Sequence, residues 1–175
     1  MNLLPWFLFA HILGAIIAFG PTFTFPIIGR LGGMEPQHAN FATRVSEAIS
    51  KVQVTPFAIL QGITGLGIVW TANIDILKTP WLIVGIVLYL IALSYALLVQ
   101  TPTVHKVIAM TSGGRPPGPP PAGAPAGPPA GPPAGPPAGP PPELLALIQR
   151  VQRGGFFLAG LIIVIVFLMV TKPSF

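Results

Sequence analysis

The sequence predicts an all-α membrane protein, a four-transmembrane-helix bundle with a disordered Pro/Gly/Ala-rich cytoplasmic loop. Of the 175 residues, 52% are hydrophobic and only 7% are charged, whereas about 25% of the residues of a soluble domain are charged. Four apolar segments have roughly the 20 residues that a helix needs to cross a bilayer. The chain contains no cysteine, which excludes disulfides and thiolate metal sites. We therefore expect no ordinary soluble-type enzyme and no catalytic residues of that kind.

The first apolar segment is a retained helix. No basic residue precedes it and it is too long for the apolar core of a signal peptide. Because proline cannot donate a backbone hydrogen bond, we expect this helix to bend near Gly20-Pro21 and Pro26. The four spans are predicted at Leu3 to Gly29, Val54 to Ala72, Pro80 to Gln100 and Gly155 to Thr171.

The basic residues predict the orientation. Only Lys78 and Lys172 fall on one side of the four spans, and seven basic residues share the other side: Arg30, Arg44, Lys51, Lys106, Arg115, Arg150 and Arg153. Since basic loops stay in the cytoplasm, both termini are predicted outside and loops 30–53 and 101–154 inside, in a bacterial cytoplasmic (inner) membrane. The positive charge thus reflects orientation and contact with lipid, and no nucleic-acid partner is expected.

The tryptophans support the same threading. Trp6, Trp70 and Trp81 all fall at the outer ends of the first three predicted spans. Indole rings favour the interface between the hydrocarbon core and water. They therefore mark the outer surface of the bilayer.

The segments between the spans divide the chain into three parts. Residues 1–112 hold the first three spans and an amphipathic cytoplasmic helix near 37–53, which packs on its neighbours or lies on the headgroups. Residues 113–142 form the Pro/Gly/Ala-rich linker, which is disordered or semi-rigid because it cannot bury enough apolar surface to fold. Residues 143–175 form a cytoplasmic helical extension followed by the fourth span.

Three stretches resemble a known family. FAHILGAIIAFG in the first span, PFAILQGITGLGIVW in the second and LLVQTP at the end of the third resemble the bacterial integral membrane proteins of domain of unknown function family 2269. The resemblance covers the four spans and not the Pro-rich insertion. It implies a small helical membrane protein.

A histidine in the first span, followed by small residues, gives a more distant resemblance. It is similar to the HemJ-type protoporphyrinogen oxidases and the CopD-type copper-resistance proteins. The HemJ resemblance implies haem b within the bundle, with His11 matching the first-helix histidine of that family. HemJ proteins pair this histidine with a lysine in a later span, and none lies between Pro80 and Gln100. This difference argues against the oxidase reaction.

His11 is also a candidate from its depth in the membrane. At 1.5 Å per residue, His11, Tyr89 and Thr64 all lie about 12 to 13 Å below the outer ends of their spans, and Gln61 lies one turn deeper. An ionisable group within a span usually turns inward, so these four side chains are predicted to form a polar layer. His11 could hydrogen-bond Tyr89, Thr64 or Gln61 and fasten the helices, bind haem b through its ring nitrogen, or handle a metal ion or protons.

Three functions follow from these alternatives. The first is a structural or accessory subunit of a larger membrane complex or homo-oligomer, favoured by the small size and the close-packing glycines. The second is a haem-binding redox protein that uses His11. The third is a CopD-like metal permease, for which the four spans offer no carboxylate.

Overall fold

A computed structural model describes residues 2–112 and 140–173, apart from the side chain of Pro36. Within these residues every regular element is helical and no strand is present. Four helices are long and apolar enough to cross a membrane: Leu4–Met34, Ala39–Thr71, Pro80–Ser112 and Pro142–Thr171. They confirm the predicted all-α fold with four spans. Most of the predicted linker, residues 113–139, lies outside the described part.

The first long helix changes its winding at the expected proline. It consists of α1 (Leu4–Phe19), a 3₁₀ turn (Gly20–Phe23) and α2 (Phe25–Met34). Pro21 lies inside the 3₁₀ turn, and its missing N–H explains why the α-helical bonding stops there. The helix also continues five residues beyond the predicted end of the span at Gly29.

The second and third long helices each contain a π-helical segment. The second consists of α3 (Ala39–Ile49), a π segment (Ser50–Val54) and α4 (Thr55–Thr71). The third consists of α5 (Pro80–Tyr95), a π segment (Ala96–Gln100) and α6 (Thr101–Ser112). A Thr-Pro pair follows each π segment at once, and the wider π turn relieves the clash between the proline ring and the preceding turn.

The fourth long helix, α7 (Pro142–Thr171), runs for 30 residues without a break. It begins with proline and Glu143, which suit the first turn of a helix because the amide is unbonded there and the helix dipole favours an acid. It ends at Lys172, which has left-handed backbone angles. The ammonium of Lys172 lies 5.9 Å from the ring centre of Trp81, and this contact joins the end of α7 to the start of α5.

The four helices are longer than a bilayer is thick. About 30 residues give a length of about 45 Å, whereas the hydrocarbon core measures about 30 Å. The tryptophan end is the end of the bundle that carries Trp6, Trp70 and Trp81. The basic end is the opposite end, where six of the eight described basic residues cluster: Arg30, Arg44, Lys51, Lys106, Arg150 and Arg153.

Helix packing differs between the two ends. Towards the tryptophan end, α1 packs along α4 and α5 packs along α7. Towards the basic end, α2 contacts α3, α3 contacts α6, α6 contacts α7 and α7 contacts α2, so the helices form a closed ring. Many large apolar side chains point outwards, among them Ile16, Leu66 and Val170. This exposure suits helices surrounded by lipid.

Candidate functional site

His11 on α1 bonds to Thr64 on α4. The ring Nδ1 lies 3.0 Å from the Thr64 hydroxyl oxygen. The same hydroxyl oxygen lies 2.9 Å from the Leu60 carbonyl and 3.2 Å from the Gln61 carbonyl. In the tautomer with its hydrogen on Nδ1, the hydroxyl donates to a carbonyl and accepts from Nδ1–H, and Nε2 keeps its lone pair. In the other tautomer, the hydroxyl donates to Nδ1.

A glycine makes room for the imidazole. A Cβ at Gly65 would lie 3.2 Å from Cε1 of His11, closer than most such contacts, so a side chain at this position would push the ring slightly away from α4. Thr64 beside it is buried. The hydrogen bond and the close approach together make His11 part of the contact between α1 and α4.

Gln61 lies one turn nearer to the basic end, on the same face of α4. Its side-chain oxygen lies 3.0 Å from the position that a Cβ of Gly14 would occupy. This oxygen is buried and has no hydrogen-bond partner among the described residues. Gln61 therefore fills the space beside Gly14 on α1, and it does not reach His11 through a side-chain hydrogen bond.

Tyr89 belongs to a different contact. Its hydroxyl donates to the Ala58 carbonyl, 2.9 Å away, and lies 2.6 Å from where a Cβ of Gly62 would be. Ala58 and Gly62 belong to the face of α4 towards α5, whereas Thr64 and Gln61 face α1. The structure thus brings His11, Thr64 and Gln61 to one interface and places Tyr89 at the neighbouring one.

The arrangement consists mainly of polar side chains that pack between neighbouring helices and hold them together. Gly14, Gly62 and Gly65 each make room for a polar side chain of the chain itself, namely Gln61, Tyr89 and His11. A porphyrin would have to compete with these side chains for the same narrow spaces, so the packed arrangement fits haem poorly. Among the residues that the structure describes, no group of three or more His, Cys, Asp or Glu could hold a metal ion.

Two glutamines that we did not predict also cross between helices. The Gln53 side-chain amide donates to the Ile17 carbonyl at 3.1 Å, and that of Gln100 donates to the Val151 carbonyl at 3.0 Å. The sequence holds a signal for the first contact. Pro21 lies four residues after Ile17 and cannot supply the N–H that this carbonyl would normally accept.

Polar pairs also join helices at the basic end. Nε2 of His105 on α6 lies 3.3 Å from a carboxylate oxygen of Glu47 on α3. The Asn40 amide donates to the hydroxyl of Thr111 at 2.8 Å. His105 is exposed and shares this contact with an acid.

Comparison with protein families gives one finding. A family model described as a predicted integral membrane protein (DUF2269) matches residues 6–112. The match covers the first three long helices, including His11, Gln61, Thr64 and Tyr89. No curated protein and no solved structure matches the chain.

Proposed function

Because this chain belongs to the DUF2269 family of predicted integral membrane proteins, we propose that it is a structural or accessory subunit of a larger membrane complex. The observation that carries the proposal is the bond between His11 and Thr64. His11 is the one histidine or charged residue within the four predicted spans, and its Nδ1 is engaged in helix packing. A catalyst or carrier needs polar groups that remain available to a substrate.

The proposal includes an orientation. The basic end faces the cytoplasm and both termini face outwards, because cytoplasmic loops retain lysine and arginine. The membrane is the cytoplasmic (inner) membrane of a bacterium. The apolar outer faces of the helices are available to lipid, to a partner subunit or to a second copy of the chain.

A haem b protein is the second candidate, and one observation favours it. Metal-binding histidines usually donate the hydrogen of the other ring nitrogen to a neighbouring group, and in the tautomer with its hydrogen on Nδ1 His11 donates in this way to Thr64. Nε2 would then be the atom that binds the haem iron. The filled spaces beside Gly14, Gly62 and Gly65 weigh against this candidate.

A CopD-like metal permease has less support. A transport pathway for a cation needs several ligating or charged groups along the membrane. The four predicted spans contain His11 and no carboxylate. A cation passing the bundle would therefore meet one imidazole and few other ligands.

Purification from the native membrane in mild detergent tests the proposal. We expect the full chain to migrate in a complex of defined stoichiometry, measured by light scattering with subunit quantification, and to show no absorption near the haem Soret region. The spectrum should remain the same after haem is added. A Soret band that disappears in His11→Ala would support the haem candidate instead, and a partner-free monomer in native membranes would contradict the subunit role.

A further inference from the structure

The four long helices change character at one level. The first long helix contains the 3₁₀ turn Gly20–Phe23, and the second and third contain the π segments Ser50–Val54 and Ala96–Gln100. The fourth, α7, contains the adjacent pair Gly154–Gly155. These four segments are called the joint. In each helix, the segment of the joint starts 11 or 12 residues from the helix end that lies at the basic end. These helix ends are Met34, Ala39, Ser112 and Pro142. The separation is about 17 Å along the helix axis.

The joint lies close to one boundary of the hydrocarbon core. Gln100, in the third helix, is 19 residues from Trp81 at the tryptophan end, and this separation spans about 28 Å. The hydrocarbon core is about 30 Å thick. The joint therefore separates a part of the bundle within the membrane from the closed ring of helices at the basic end.

Each segment of the joint weakens its helix for a physical reason. Pro21, Pro56 and Pro102 lack the backbone N–H, and sharp helix bends usually occur at proline or at a π turn. In α7, two adjacent glycines make the helix less rigid because they have the greatest backbone freedom. The backbone is thus locally softened in all four helices at the same depth.

Two side-chain amides hold the joint together across helices. Gln53, inside the first π segment, donates to the Ile17 carbonyl, the one that Pro21 leaves without its usual partner. Gln100, inside the second π segment, donates to the Val151 carbonyl of α7. One bond thus joins the first and second helices and the other joins the third and fourth.

The contact at α7 is close as well as polar. A Cβ at Gly154 would collide with the side-chain oxygen of Gln100 and would lie 2.8 Å from the Tyr95 hydroxyl oxygen. The missing side chain lets these two groups pack against the backbone of α7. The third and fourth helices therefore meet at the joint through a glycine as well as through the Gln100 bond.

We propose that the joint is a hinge about which the ring of helices at the basic end tilts relative to the membrane part, with Gln53 and Gln100 as its latches. The four segments, with their prolines and glycines and the two amide bonds, all lie at one level of the bundle. The change in packing, from two helix pairs to a closed ring, falls there too. The hinge gives the membrane part and the basic end separate freedom to move.

Distances between spin labels in lipid nanodiscs test the hinge, and the chain suits this method because it contains no cysteine. A cross-joint pair is Ala72→Cys with Ala109→Cys. A reference pair within the basic end is Gln37→Cys with Ala109→Cys; all three positions are exposed. We expect the cross-joint distance distribution to be clearly broader than the reference distribution.

Removing a latch should change the cross-joint distances selectively. Gln53→Leu keeps the side-chain bulk and removes the bond to Ile17. We expect the cross-joint distribution to shift or widen by part of the displacement that a tilt of about 10° gives at the end of a segment about 17 Å long, which is about 3 Å. Gln152→Leu on α7 is the matched control, because Gln152 is exposed.

Helical content and elution volume establish that each labelled variant is folded. The variant Gly154→Ala alters the α7 side of the joint independently of Gln53. A cross-joint distribution as narrow as the reference overturns the proposal. A distribution that Gln53→Leu and Gln152→Leu change equally overturns it as well. The comparison of the two label pairs in the otherwise unchanged chain remains decisive even if a latch variant fails to fold.

Discussion

Tyr89 lies against Gly62 where α5 meets α4, with its hydroxyl 2.6 Å from the position that a glycine Cβ would take. From there it donates to the Ala58 carbonyl. At the neighbouring interface of the same helix, the Thr64 hydroxyl forms a hydrogen bond with Nδ1 of His11. Helix α4 therefore joins α1 and α5 through one polar contact at each interface, and the following predictions test these contacts.

Replacing His11 removes a hydrogen bond and leaves a space beside Gly65. We expect His11→Ala to lower the free energy of unfolding by about 1 to 2 kcal/mol, since interhelical hydrogen bonds in membranes contribute about 0.6 and at most about 1.7 kcal/mol and a cavity adds to the loss. Reversible denaturation in mixed micelles, followed by circular dichroism, measures the change. His38→Ala, at an exposed site near the basic end, should change it by much less.

Thr64→Val tests the hydrogen bond at nearly constant volume. The loss of the hydroxyl leaves Nδ1 of His11 without this hydrogen bond, and we expect a destabilisation of about 0.6 to 1.7 kcal/mol. The same change at Thr71, whose hydroxyl donates to the Gly67 carbonyl of its own helix, is the control. In a double-mutant cycle, Thr64→Val and His11→Ala should be less than additive; full additivity would show that the two side chains do not interact.

Adding a methyl group at Gly62 should disturb the contact with α5. The new Cβ would meet the Tyr89 hydroxyl at 2.6 Å, so the ring must move, and overpacking of this kind costs about 1 to 3 kcal/mol. Gly160→Ala on α7 is the matched control because nothing lies within 4 Å of its Cβ position. Thermal denaturation in the same detergent should separate the two variants, and equal melting temperatures would contradict the packing at Gly62.

The pair formed by His105 and Glu47 should contribute little to stability. The His105 side chain is 57% exposed. The contact is an ion pair only with a protonated ring, and exposed ion pairs are typically worth about 0 to 1 kcal/mol. We expect Glu47→Gln to lower the free energy of unfolding within this range, less so at high salt because ions screen exposed charges. A larger loss that persists in high salt would contradict this prediction.

Hydropathy predicted the four spans but not the full helices. The helix that begins at Leu4 continues to Met34, and the one that begins at Pro80 continues to Ser112. Apolar residues are needed only where a helix meets lipid, so hydropathy reports the thickness of the membrane. Beyond it the helices are held by packing within the ring at the basic end, which pairs residues that are far apart in the sequence.

The depth of a residue in the membrane could be counted from the sequence, whereas the direction in which its side chain leaves the helix could not. His11 and Thr64 were placed at one level by counting residues, and they form a hydrogen bond. Tyr89 was placed at the same level but lies at the neighbouring interface, where α4 meets α5. The rotation of each helix depends on how its neighbours pack, which is also why the bonds of Gln53 and Gln100 were missed.

Helix α7 crosses the joint with no change of helical type, whereas the other three long helices each change there. The 30 residues of α7 form one uninterrupted helix, so the softened point at Gly154 can bend while the two parts of the bundle stay connected. A pull on the chain at Pro142 would therefore act mainly as a bend at Gly154. The contact between Lys172 and Trp81, which lies beyond this point, would stay in place.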